Sequence, residues 1–253
     1  MNAPSTTLPN FIQLPVSPWS EKARWALDHS HVAYESIEYI PTISTLAVRW
    51  QIKRFTSKLT IPILINGNDS FSDSWDIARY ADLQRAEGIE SLFPHDQLEE
   101  IEAWNDKSEE ILGTLRLGAL ERMKHNRQTQ INALPDFFPD ALRPYLWPVS
   151  WVAIQTLAQK YQKEGSHPLE EVAQHFQSLR EALNKSANDY ILGTFSYADI
   201  VMCCSLQMVS PVGDEFLSID AQIREDWSSP KLKADYQDLV DWRDRIYAKH
   251  RKQ

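Results

Sequence analysis

The chain has 253 residues, with 26 basic and 35 acidic side chains giving a formal net charge of −9. That balance argues against general affinity for nucleic acid or anionic membranes, and no block of like charge reads as an interaction tail. The length suffices for one large domain or two modest ones with a sizeable core, and a content of only 7 glycines points toward helix.

The 2 cysteines, Cys203 and Cys204, are adjacent and cannot staple distant segments, so a reducing compartment fits best. The N-terminal stretch MNAPSTTLPN has neither a basic start nor an apolar run and is not a secretory signal. The most apolar later segment, Leu146–Ala158, is too short and too polar to span a bilayer. A cytoplasmic location is the expectation.

Taken in chain order, the first 85 residues read as mixed α/β. Phe11–Leu14 suits a buried strand. Ser17 or Ser20 can cap a helix reaching about Ser30, with Ala23, Ala26 and Leu27 on one face. Ser36–Ile40 alternates, putting Ile37 and Tyr39 on one side of a strand that Pro41 ends. A helix is expected over Ile43–Phe55, then an apolar strand over Ile61–Ile65. The NGND that follows is a hairpin signal and places Phe71 on the returning strand. Asp73 or Ser74 then caps a helix to about Arg85, completing the order β-α-β-α-β-β-α.

The stretch 86–96 is polar, aperiodic and punctuated by Gly88 and Pro94, as a linker would be. Beyond it the pattern is helical. Three stripes predict core faces: Ile101, Trp104, Ser108, Ile111 and Leu115; then Leu169, Val172, Phe176, Leu179 and Leu183; then Leu232, Tyr236, Leu239, Arg243 and Ile246. Between the first two lies Leu134–Pro148, where Pro135, Pro139, Pro144 and Pro148 are expected to interrupt any regular helix.

The sequence has no G-x-G-x-x-G, no Walker loop, no H-E-x-x-H and no paired C-x-x-C. His29 and His31 stand two apart at a helix end without further ligands in view, and no metal is expected. Three features remain. Ser17-Pro18-Trp19-Ser20 delivers hydroxyls to a helix start, where unpaired N–H groups and the peptide dipoles favour an anion; it equally reads as plain capping. Ile61-Pro62 opens a strand with a residue that cannot donate to the ladder. If that bond is cis, the Ile61 backbone faces outward and can pair with an extended peptide. Ser72-Asp73-Ser74 precedes a helix and either caps it or holds an amino-acid-like group, carboxylate on the helix start and ammonium on Asp73.

SPWSEKARWAL followed by SKLTIPILINGNDSFSDSWDIARYAD resembles the glutathione-binding half of the glutathione S-transferase superfamily, in its serine-type, tau/omega-like pattern SPWS. GTFSYADI, Gly193–Ile200, is similar to the family's buried capping box, with Ser196 as cap, Asp199 reaching back, and Phe195 and Ile200 as staple. The likeness covers 10–85 and extends over 97–120 and 185–210. It implies a thioredoxin-like domain over 1–85, a linker over 86–96 and an all-helical domain over 97–253.

The resemblance also implies roles. Ser17 is the catalytic hydroxyl that favours the glutathione thiolate, Trp19 walls the site, and Ser20 is the cap. Ile61, before a cis Pro62, pairs with the cysteinyl backbone, and Asp73 with Ser74 holds the γ-glutamyl end. Many members have a lysine two residues before the cis-proline; here Thr60 stands in that place, and Lys58 or Arg54 is the candidate replacement. Trp104, Ser108, Leu112 and Arg116 are the expected second-substrate pocket, with the Leu134–Pro148 insert reshaping or covering it. The implied activity is conjugation of glutathione to a small electrophile in detoxification, or peroxide reduction, by a homodimer with glutathione as co-substrate. The other possibility is a non-catalytic scaffold or regulator of the same fold.

Overall fold

In a computed structural model of the chain, the described residues are 8–40, 44–52, 59–135, 138–162 and 167–251. They fall into two units. The first runs to Leu98 and takes in His250 and Arg251; the second is Glu99–Lys249.

The first unit follows the expected order: β1 (Asn10–Gln13), α1 (Pro18–His29), β2 (Glu35–Glu38), α2 (Thr45–Gln51), β3 (Ile63–Asn66), β4 (Asp69–Phe71) and α3 (Ser74–Leu83). The sheet order is β2-β1-β3-β4, with β1 parallel to β2 and both other pairings antiparallel. Period-2 alternation sorts the side chains. Ile12 and Ile63 meet Val48 of α2 on one face, with Ile37 and Tyr39 against them. Phe11 and Leu64 are buried on the other face, which is left to α1 and α3, two helices that pack on each other. The β3–β4 hairpin closes at Asn66↔Asp69, and Gly67 takes φ +62, the positive φ that the first central residue of a type II′ turn needs.

Three expectations for this unit need correction. The strand expected over Ile61–Ile65 begins only at Ile63, because Pro62 has no N–H for the ladder. The helix expected over Ile43–Phe55 is seen as Thr45–Gln51; Ile43 and 53–58 lie outside the described residues. The stretch 86–96 is docked on its own unit. Leu92 and Phe93 are buried. The Asp82 carboxylate accepts the Leu92 N–H at 2.7 Å and the Ser91 hydroxyl at 2.8 Å, while Ala86 N–H donates to Ser30.

The second unit comprises α4 (Leu98–His125), α5 (Arg127–Asn132), α6 (Arg143–Gln162), α7 (Leu169–Lys185), α8 (Tyr197–Leu206), α9 (Ala221–Trp227), α10 (Pro230–Asp235) and α11 (Gln237–His250), its first and last helices each beginning or ending one residue inside the first unit. Every residue of α8 is buried, Cys203 and Cys204 included, and burial pushes the Cys203 thiol pKa well up. The α4 stripe is buried throughout. Asp199 completes the capping box at the start of α8 by accepting the Ser196 N–H at 2.9 Å, and its second oxygen accepts the Ile191 N–H at 2.9 Å.

Three further corrections fall here. Leu169, expected in the core, is 59% exposed because it is the first residue of α7. The third stripe is broken at Tyr236, which ends α10 with φ −130 and ψ 33. Pro144 and Pro148 do not interrupt helix: α6 starts at Arg143 and runs through both. Pro144 sits in the first turn, where no N–H is needed, and Pro148 gives up only a bond back to that same turn. The Arg143 guanidinium gathers the carbonyls of Leu134, Pro135 and Phe138 ahead of the helix.

Candidate functional site

Sheet topology brings the three sequence features to one edge. β1 ends at Gln13 and leads into Ser17. β3 is antiparallel to β1, with Ile12↔Ile63, so Pro62 and Ile61 lie beyond that same edge. β4 is antiparallel to β3, with Leu64↔Phe71, so Ser72, Asp73 and Ser74 also leave the sheet there.

At the first feature, Leu14–Ser17 is a turn closed by Ser17 N–H donating to Leu14 C=O at 2.9 Å, with Pro15 in its first central position. Ser17 is the N-cap residue of α1 by backbone, with φ −78 and ψ 126, and Pro18 follows at the first helical position. The Ser17 side chain makes no capping bond and has no hydrogen-bond partner among the described residues. It is half-buried. Ser20 is not the cap. It lies inside the helix, fully buried, and its hydroxyl accepts the Leu14 N–H at 3.1 Å. Trp19 is half-buried beside it.

Below this turn runs a chain of charged groups that the sequence reading passed over. Arg24 donates to Glu21 Oε2 and to Gln13 Oε1. Arg251 donates to Glu21 Oε1 at 2.7 Å and to Asp28 Oδ2 at 2.7 Å. Tyr34 donates to Asp28 Oδ1 at 2.8 Å, and burial raises the Tyr34 pKa above its ordinary value. The i,i+3 pair Glu21–Arg24 was the available sequence signal; nothing local marks Arg251.

At the second feature, the Ile61-Pro62 bond is cis. Ile61 lies outside the ladder, and its N–H and C=O have no partner among the described residues. Pro62 is buried. The Thr60 hydroxyl donates to the Ser72 carbonyl at 2.8 Å, tying the approach to the cis-proline to the approach to α3. Lys58 and Arg54 lie outside the described residues.

At the third feature, Asp73 is the N-cap of α3, and its Oδ1 accepts the Trp75 N–H at 2.8 Å. It is exposed, whereas Ser74 is 2% exposed. An exposed carboxylate on a helix N-terminus, and, without partners among the described residues, the backbone of Ile61 and a hydroxyl at a second helix start together offer sites for an ammonium, a peptide backbone and an anion.

The four residues expected to form a second-substrate pocket do not converge. Trp104, with Lys107 4.1 Å above its ring, lines an open cavity of about 450 Å³ with Ser178, Lys185 and Gly193. Ser108 and Leu112 are fully buried, and the Ser108 hydroxyl is committed to Val201 C=O at 3.0 Å and Ser205 Oγ at 2.6 Å. Arg116 stacks over Tyr161 with 3.3 Å to the ring centre. The α4 stripe faces α8, which makes it core. His29 Nε2 is 3.1 Å from the Glu90 carbonyl, and desolvation lowers its pKa.

Comparison with known proteins bears on the same residues. Residues 11–88 match the family model of the glutathione S-transferase N-terminal domain. The fold is shared with a glutathione S-transferase of Ceriporiopsis subvermispora in complex with glutathione, at 18% identity and TM-score 0.59, over 96% of this chain and 95% of that one. It is shared with a glutathione S-transferase of Methylobacillus flagellatus KT with glutathione bound, at 15% identity and TM-score 0.58, over 94% of each chain. It is also shared with the tau class enzyme of mango, at 15% identity and TM-score 0.51, over 95% of this chain and 88% of that one. No curated protein matches the sequence. The match makes residues 11–88 a glutathione S-transferase N-terminal domain, thioredoxin-like in topology, and the chain as a whole, with its helical second part, has the fold of those solved structures. Among the described residues no helix is long and apolar enough to cross a membrane.

Proposed function

We propose that the chain binds glutathione at the edge of the first unit's sheet and activates its thiol for attack on an electrophilic small molecule, by conjugation or in peroxide reduction. The observation that carries this is the Ser17 hydroxyl, held at the N-terminus of α1 with no protein partner among the described residues. Solved proteins of the same fold hold glutathione.

Ser17 donates to the glutathione sulfur, and the helix start adds partial positive charge. A free thiol with a pKa near 8.5 is only a few per cent ionised at neutral pH, and lowering it by about two units corresponds to roughly 2.7 kcal/mol. One hydrogen bond to a charged sulfur plus a helix terminus has that size. The thiol proton leaves to solvent. In conjugation the sulfur lone pair then forms the bond to the electrophilic carbon, and the leaving group departs with its bonding pair. Ile61, ahead of the cis Pro62, pairs with the cysteinyl backbone. Asp73 takes the γ-glutamyl ammonium and the Ser74 end of α3 its carboxylate, with Trp19 as a wall. Lys58 takes the glycine carboxylate. The functional protein is a homodimer, which sedimentation of the purified chain tests.

Calorimetric titration with glutathione is the first experiment, followed by the thiol pKa of bound glutathione in wild type and Ser17→Ala. Saturable binding and a pKa that rises in the variant are expected. No heat at millimolar glutathione would instead favour a scaffold or regulator; an unchanged pKa would remove Ser17 from the mechanism.

A further inference from the structure

The second unit carries a cluster of metal-ligating side chains that glutathione chemistry leaves unused. Glu110 on α4, His167 just ahead of α7 and Glu171 in the first turn of α7 bring one donor atom each within 4.8 Å of one another. His167 Nδ1 is 2.7 Å from Glu171 Oε2, and His175 Nε2 is 2.7 Å from Glu110 Oε2. No other trio of His, Cys and carboxylate donors meets that spacing among the described residues.

The cluster is mounted rigidly. Glu110 and Thr114 stand one turn apart on α4, and Glu171 and His175 one turn apart on α7, so each pair lies on one face of its helix. Thr114 Oγ1 accepts the His167 N–H at 3.0 Å and donates to the His167 carbonyl at 3.3 Å. That double contact fixes the His167 backbone against α4, one turn from Glu110.

We propose that Glu110, His167 and Glu171 bind one first-row divalent transition-metal ion, and that His175 holds Glu110 in the orientation this requires. Ligand atoms about 2.0–2.2 Å from zinc in a tetrahedral site lie roughly 3.3 Å from one another. The observed spacings, 2.7 Å for the His167–Glu171 pair and up to 4.8 Å across the trio, bracket that value. Two carboxylates balance a dication, and one imidazole turns preference toward zinc, cobalt or nickel and away from magnesium or calcium, which take oxygen ligands. His167 and Glu171 have side chains 47% and 43% exposed, which leaves an entry path and room for water at the fourth position. His175 is only 18% exposed, and its contact with Glu110 is the kind of outer partner that orients a metal-bound carboxylate. The site is a clamp between α4 and the start of α7. His125 and Glu121 form a similar i,i+4 pair, but the second Glu121 oxygen is taken by Lys124, and among the described residues no third donor joins them; they serve as the internal control.

The test uses the full chain without a histidine tag, stripped with chelator and titrated with zinc chloride by calorimetry and with cobalt chloride by visible absorption. One equivalent per chain at micromolar affinity is expected, with cobalt d–d bands. Both signals are lost in His167→Ala and in Glu171→Gln, zinc affinity falls about 10–100-fold in His175→Ala, and His125→Ala binds as wild type. Circular dichroism confirms that the variants are folded. Failure of the wild type to bind stoichiometrically, or binding by His167→Ala and Glu171→Gln equal to wild type, would overturn the site.

Discussion

Ser20 Oγ accepts the backbone N–H of Leu14 at 3.1 Å, joining the turn after β1 to the first turn of α1. The bond commits the buried serine to holding the turn, while the half-buried one, Ser17, has no hydrogen-bond partner for its hydroxyl among the described residues. The two serines therefore separate by experiment. Ser17→Ala should lower kcat/KM for glutathione conjugation about 100-fold, the equivalent of the roughly 2.7 kcal/mol assigned to thiolate stabilisation. Its unfolding free energy should stay within about 0.5 kcal/mol of wild type. Ser20→Ala should do the reverse, costing about 1–3 kcal/mol of stability by leaving the Leu14 N–H without its acceptor. Urea denaturation alongside steady-state kinetics checks both, and equal kinetic losses in the two variants would sink the distinction.

The Thr60 hydroxyl bridges to the Ser72 carbonyl at 2.8 Å and so couples the two loops assigned to the peptide and γ-glutamyl parts of glutathione. Thr60→Val keeps the side-chain shape and removes the donor. A net hydrogen bond of about 1 kcal/mol corresponds to a roughly fivefold weaker glutathione Kd. Because the loops bind and do not react, kcat should hold while KM for glutathione rises. A fall in kcat at unchanged KM would show that Thr60 acts on the chemistry instead.

Much of this site was legible because its signals are local. The apolar runs Phe11–Leu14 and Ile61–Ile65, the Asn66-Gly67 turn and the Pro62 punctuation each depend on neighbours in sequence, and together they define the sheet edge. The residues alone left Ser17 and Ser20 interchangeable as hydroxyls at a helix start, and only the resemblance separated them. Its assignment of Ser20 as the cap failed because nothing local shows that the turn brings Leu14 N–H to that hydroxyl. The α4 stripe said which residues were buried but not what they faced, so Ser108, bonded to α8, could not be told from a pocket residue. Pro148 read as a breaker because its cost depends on how close it falls to the helix start, and that start was not marked. Arg251 meets Glu21 across a separation of 230 residues, beyond the reach of any periodicity.

Asp199 at the start of α8 has its pKa raised from 3.8 to about 7, chiefly by burial, with the bonds from Ile191 and Ser196 pulling the other way. An acid whose folded pKa lies above its unfolded one binds protons more tightly when folded. Its contribution to stability is therefore full below about pH 4, declines as pH rises toward 7 and is flat above that. The span is of order 4 kcal/mol. Asp199→Asn removes the titration while leaving one backbone N–H without an acceptor. The variant should be less stable than wild type, and the gap should narrow as pH rises from 4 to 7. A gap constant over that window, measured by urea denaturation at fixed ionic strength, would show that Asp199 titrates normally.

Arg251 closes the charged chain beneath the Ser17 turn, donating to Glu21 and Asp28 at 2.7 Å each. Its side chain is 10% exposed and that of Glu21 6%, so water screens the pair poorly. Arg251→Ala leaves Glu21 paired with Arg24 and takes the Arg251 partner from one Asp28 oxygen. The expected loss is about 1–3 kcal/mol, below that of a fully orphaned buried charge because Arg24 stays in place. Arg251→Lys keeps the charge but cannot reach two carboxylates with one planar fork, so it should recover only part of the loss. Glu21→Gln in the Arg251→Ala background should add less than Glu21→Gln alone, since the two share one interaction. Strict additivity in that cycle would mean that the contact contributes nothing and that the C-terminal arginine is held for another reason.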